Sequence, residues 1–153
     1  MEIKTTTLNA FIGACGMFAK DLEALPEEAF TKCFGSKVRT VADIVHEVNL
    51  VNDHVGMVMR GEKPFEWPEG DWIRAPVEFN TKTVIIKAFQ DSSNRIIETI
   101  NSMTEADLEG TVQTEHGERT RFERCRFMTL HIWYHSGQLN FVQTLLGDDG
   151  WHW

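Results

Sequence analysis

Residues 126–147 read RFMTLHIWYHSGQLNFVQTLLG, and the spacing within this stretch decides the fold class. Phe127, Met128, Val142 and Leu145 recur on one side of a helical wheel, together with His131, His135 and Gln138. Gly147 follows the last apolar residue, where a helix terminator is expected. The pattern predicts a helix from about Phe122 to Leu146. Each helical residue turns about 100°, so His131 and His135 lie about 40° apart and about 6 Å along the axis. Two imidazoles so placed can reach one ion at about 2 Å each. They point into an apolar seam, where imidazoles without partners are costly. The same spacing also suits two hydrogen-bonded core histidines. Ile132 stands where the zincin peptidases carry Glu, so that peptidase chemistry is not expected.

Working back along the chain, three further segments carry the helical period. The first runs from about Thr6 to Leu25, with Leu8, Phe11, Ile12, Cys15, Phe18, Ala19 and Leu22 on one stripe. Pro26 and two glutamates then mark a break and restart. The second runs from Thr40 to Gly61, with Asp43 three residues after Thr40 as in a capping arrangement. The third spans about Lys82 to Met103. Residues 61–80 hold three of the four prolines along with Phe65, Trp67, Trp72 and Phe79. So aromatic a loop is expected to pack over the bundle or form a lid. Residues 110–120 read as a hairpin turning at His116-Gly117. The expectation is an all-α chain: one domain, residues 1–153, forming an antiparallel four-helix bundle with a long aromatic loop and a short hairpin before the last helix.

The second helix offers a third ligand, His46, flanked by Ala42, Leu50 and Met57. Val41, Ile44, Val48, Val51 and Val55 lie nearly opposite. A helix apolar on both sides is buried on both, and the pattern does not say which side faces the last helix. Asp53 shares the direction of His46 but sits about 10 Å along the axis, too far for the same ion. His54 points about 80° away, His116 falls at a turn and His152 in the terminal Trp151-His152-Trp153 tail, all weaker candidates. Glu47, Asn49, Tyr134 and Gln138 are the nearest polar candidates for acid–base or supporting roles.

The formal net charge is −8. A phosphate backbone or anionic lipid surface would repel such a chain, so neither nucleic acid nor membrane is an expected partner. Cys15, Cys33 and Cys125 form no C-x-x-C pair and are expected to be reduced thiols in a cytoplasmic protein. Neither a signal peptide nor a membrane-spanning run is apparent.

HIWYHSGQLNFVQTLLG resembles the closing helix of the DinB-like (damage-inducible, YfiT-like) proteins, with its two histidines followed by a small residue, Gly, Gln and an aliphatic. TVADIVHEVNLVNDH is similar to the histidine-bearing second helix of that family. The resemblance covers nearly the whole chain, including ALPEEAF and the hairpin. It implies a four-helix bundle with a three-histidine site for zinc, nickel or a similar ion, the ligands mapping onto His46, His131 and His135. It implies homodimers through helix faces. It also implies enzymes of two kinds: transferases or isomerases that use a low-molecular-weight thiol, mycothiol or bacillithiol, and metal-dependent hydrolases. Ser136 departs from the Arg common there. An ion with open positions could activate water or a thiol. The alternative is a non-catalytic metal-binding dimer in stress response, whose ion would be closed off by a fourth protein ligand.

Overall fold

The computed structural model describes residues 2–70 and 72–153. Four long helices, α1 (Ile3–Ala24), α2 (Val41–Met59), α3 (Lys82–Ser102) and α5 (Arg121–Leu145), build the molecule. A 3-10 turn at Glu27–Ala29 follows α1, as the Pro26 restart suggests. A short helix, α4 (Glu105–Glu109), and an antiparallel hairpin of β1 (Thr111–Thr114) and β2 (Gly117–Thr120) lead into α5. The expected all-α bundle with its loop and hairpin is therefore present.

The helix starts are chemically marked. Thr40, Thr104 and Thr120 each accept a hydrogen bond from the backbone N–H three residues on, and the side chains of Asp43, Asp107 and Glu123 accept one from the Thr backbone N–H. Each exchange satisfies two N–H groups that a helix leaves open. Gly147 ends α5 at φ 86°, a left-handed conformation that suits glycine.

The core is a continuous cluster in which Phe11, Phe18, Phe30, Phe89, Ile96 and Met128 are almost wholly buried. The rings of Phe18 and Phe89 lie 4.7 Å apart between α1 and α3. Val41, Ile44, Val48, Val51 and Val55 are all buried. Around His46 on the opposite side, Ala42 is buried but Leu50 and Met57 are half-buried, so the expected enclosure on two sides is only partial. On α5 the buried stripe is narrower than the periodicity suggests. Met128 and Val142 are buried, whereas Phe127 and Leu145 stay 43% and 49% exposed. Cys15 and Cys125 are buried and Cys33 is exposed, and all three are free thiols. Among the described residues, no helix is long and apolar enough to cross a membrane.

Cross-contacts set the helix directions. Asn49, Asp53 and Arg60 of α2 bond Ser92, Arg95 and Thr99 of α3 in rising order, so α2 and α3 run parallel. Arg121 at the start of α5 donates to the Met59 carbonyl at the end of α2, while His131 lies near Glu47, so α2 and α5 are antiparallel. Lys4 reaches the end of α3 and Lys82 the end of α1, so those two are antiparallel. The directions are up, down, down, up. Two parallel neighbours cannot be joined by a tight turn. Residues 60–81 must return along the bundle past a helix about 28 Å long, which is the physical reason for the long loop.

Candidate metal centre

Where α5 crosses α2, His131 and His135 face the same space. Their Nε2 atoms lie 3.0 Å apart, with the rings nearly perpendicular. Glu47 of α2 completes the group: its Oε1 is 3.6 Å from the His131 Nε2 and 3.8 Å from the His135 Nε2. Among the described residues this is the one group of three such side chains whose ligand atoms converge within 4.8 Å. Ligand atoms held about 2 Å from a tetrahedral ion lie about 3.4 Å from one another. The observed spacings bracket that value. The donor set, two imidazoles and a carboxylate, is one that catalytic zinc sites use.

His46, expected as the third ligand, is not part of this group. Its ring packs edge-on against Phe79 of the long loop, centroids 5.2 Å apart, and the side chain is half-buried. Consecutive helical residues point about 100° apart, so only one of His46 and Glu47 can face α5. It is Glu47.

The surroundings select the ligand form of His135. Arg39 Nη2 donates to Gln138 Oε1 at 3.4 Å, and since a guanidinium only donates, that atom of the amide must be the oxygen. The same oxygen sits 2.8 Å from His135 Nδ1. His135 therefore carries its proton on Nδ1, and its Nε2 lone pair faces His131 and Glu47. A hydrogen bond of this kind orients a metal-binding imidazole. Arg39 also pairs with Glu47 Oε2, which leaves Oε1 toward the histidines. His131 Nδ1 is buried without a hydrogen-bond partner.

Electrostatics act in the same direction. Burial, then the neighbouring His131 and Arg39, push His135 down to about 3, although the Gln138 bond opposes this. Burial and then Arg39 push His131 down to about 4. Both rings are neutral near pH 7, as metal ligation requires.

The other candidates lie elsewhere. Asn49 accepts from Ser92 Oγ at 2.7 Å in the α2–α3 seam, so it does not support the histidines. Tyr134 is 63% exposed, with its ring 5.0 Å from that of His135. Gln138 is where it was expected to be useful, bonded to His135. His54 packs against Phe65 and Trp67 of the loop, and His116 is exposed at the hairpin turn. His152 bonds Asp148 within the tail at 2.8 Å. Arg39, one residue before the α2 cap, is the participant that periodicity gave no reason to choose.

One residue beyond His135, Ser136 enters a second polar cluster. Its hydroxyl donates to Oδ2 of Asp21, a fully buried carboxylate of α1. The Trp153 indole N–H donates to Oδ1 of the same group at 2.8 Å, and Gln143 bonds the Asp21 carbonyl. The end of the tail is thus tied down through Trp153.

Residues 12–139 match the family model of the DinB superfamily. The chain belongs to that superfamily. Three solved structures share its fold. A conserved protein from Enterococcus faecalis aligns with a TM-score of 0.74 at 13% identity, over 97% of this chain and 99% of that one. A DinB-like protein from Bacillus cereus gives 0.72 at 17% identity, over 92% and 91%. A mutant of mycothiol-dependent maleylpyruvate isomerase gives 0.71 at 14% identity, over 89% of this chain but 60% of the isomerase. No curated protein matches the chain.

Proposed function

We propose that this DinB-superfamily chain is a metal-dependent enzyme acting on a small molecule, with its divalent ion, zinc or nickel, held by Glu47, His131 and His135. The observation that carries the reading is the pair of neutral imidazoles whose Nε2 atoms face each other beside a carboxylate oxygen. The two Nε2 atoms are within hydrogen-bonding distance of each other, and no further described side chain joins the group. A divalent ion held there supplies Lewis acidity to a water or a thiol. The protein's own groups do the rest. Gln138 fixes the His135 tautomer, and Arg39 holds both Gln138 and Glu47 in place.

A low-molecular-weight thiol is the co-substrate of this reading, and transfer or isomerisation its reaction. The support is the likeness to an isomerase that uses mycothiol. Hydrolysis of a small molecule is the other reaction the same ion could serve. The chain is further proposed to act as a homodimer in the cytoplasm. Leu130, Tyr134 and Phe141 are 55%, 63% and 64% exposed on one side of α5, and an apolar stripe of this kind suits a twofold pairing with its own copy. Light scattering showing a monomer at micromolar concentration would remove the dimer without touching the site.

The deciding experiment measures bound metal by elemental analysis in the wild type, Glu47→Gln and His46→Ala. About one ion per chain is expected in the wild type and in His46→Ala, with most of it lost in Glu47→Gln. Retention in Glu47→Gln together with loss in His46→Ala would restore the three-histidine set. A metal-free wild type after growth and purification with zinc or nickel would end the metal reading.

A further inference from the structure

A cleft of about 1160 Å³ opens between α2, the hairpin and the first half of α5. Its lining does not include the three proposed ligands. It adjoins them: Val51 stands one turn from Glu47 on α2, and Phe127 one turn from His131 on α5. The Phe127 and His131 rings stack at 5.9 Å, 23° from parallel. Val51, Val55, Val58 and Leu130 make the remaining walls largely apolar.

Against these walls stand three guanidiniums, Arg119, Arg124 and Arg126. In a chain with 23 acidic and 15 basic residues, cations without acidic partners are unexpected. Yet none of the three forms an ion pair among the described residues. The acids that share the cleft have nearer partners, though Glu115 also acts on Arg124 through space. Glu62 pairs with Arg60, Glu123 caps α5, and Glu115 lies 3.3 Å from the His116 imidazole. Arg124 is the most constrained of the three. Its guanidinium lies over Phe127, 4.9 Å from the ring centre, and its Nε is buried with no hydrogen-bond partner. A half-desolvated cation with an open donor is a costly arrangement that an anion would relieve.

We propose that this cleft binds a small organic acid, with its carboxylate on Arg124 and its apolar body lying along Phe127 and Val51 toward the metal centre. Arg124 and His131 are seven residues apart on one helix, about 10 Å. That length suits an acid whose reacting end is several bonds from its carboxylate. As a statement about the substrate, this rests on the metal reading above; as a statement about binding, it does not.

The test is calorimetric titration with 4-phenylbutyrate and, as its uncharged match, 4-phenylbutan-1-ol. Saturable binding of the acid is expected, about ten-fold or more tighter than that of the alcohol, and weakened by salt. Arg124→Met keeps the apolar stem. It is expected to bring the acid down to the affinity of the alcohol and leave the alcohol unchanged. Arg119→Gln, an exposed position, is expected to weaken the acid by a smaller factor, and it serves if Arg124→Met does not fold. Wild-type protein dialysed against a chelator is expected to bind the acid as the untreated protein does, whether or not the latter carries metal. That arm separates failure of the metal reading from failure of this one. Equal affinity for acid and alcohol, or acid binding that neither arginine substitution weakens, overturns the proposal.

Discussion

His135 and Ser136 are neighbours on α5. Both are buried and each centres a polar cluster, but they point about 100° apart. Ser136 turns toward α1, where Asp21 receives the serine hydroxyl on one oxygen and the Trp153 indole on the other. Donors and acceptors match there, and the cluster is closed. His135 turns toward α2, where two ring nitrogens and a carboxylate oxygen face one another. The His135 Nε2 lone pair faces the His131 Nε2 at hydrogen-bonding distance, and no described side chain places a cation between the three atoms. Buried polar groups that satisfy one another hold a fold together. Lone pairs that converge with no cation between them leave their cluster open.

The largest effect expected from breaking this contrast is on metal. His135→Ala should lose bound ion by a factor of a hundred or more in affinity, while Ser136→Ala keeps it, as measured by competition with a chromophoric chelator. If both lose it equally, the two clusters are one unit. Next, Gln138→Ala removes the acceptor that orients His135 and should weaken the ion about 10- to 100-fold while leaving stoichiometry intact. Ser136→Ala should instead appear in denaturant unfolding. It leaves a buried carboxylate oxygen short of a donor, at a cost of about 1–3 kcal/mol.

The smallest effect is on pH dependence. In the metal-free protein His131 and His135 titrate near 4 and 3, against an ordinary value of 6.5. Below pH 6.5 the unfolded chain takes up protons that the folded one refuses. Their contribution is thus complete above pH 6.5, is lost as pH falls toward 4, and levels off near 3. Urea midpoints measured across that window should fall with pH, and fall less in a His131→Gln/His135→Gln double variant.

Much of this was legible in the sequence. The predicted helices match the observed ones to within a few residues, because caps and apolar periodicity are local properties of the chain. The convergence of His131 and His135 was legible for the same reason, since both lie on one helix. The third member of the group was not. His46 and Glu47 are adjacent, and α2 is apolar on two sides, so its periodicity could not say which side meets α5. That choice is made by packing between distant segments. Arg39 and Asp21 were hidden similarly, for each acts on a partner about a hundred residues away.

The direction of the helices has a kinetic consequence. The principal packing partners are α1 with α5 and α3, and α2 with α3 and α5. Among these, only α2 and α3 are consecutive long helices, and they run parallel. No pair of long helices forms a hairpin closed by a short turn, so no two of them can zip together locally. Native pairing has to wait for remote stretches of chain to meet, and loop closure of that kind is slow to search. Among helical bundles of this size, the chain is expected to be a slow folder.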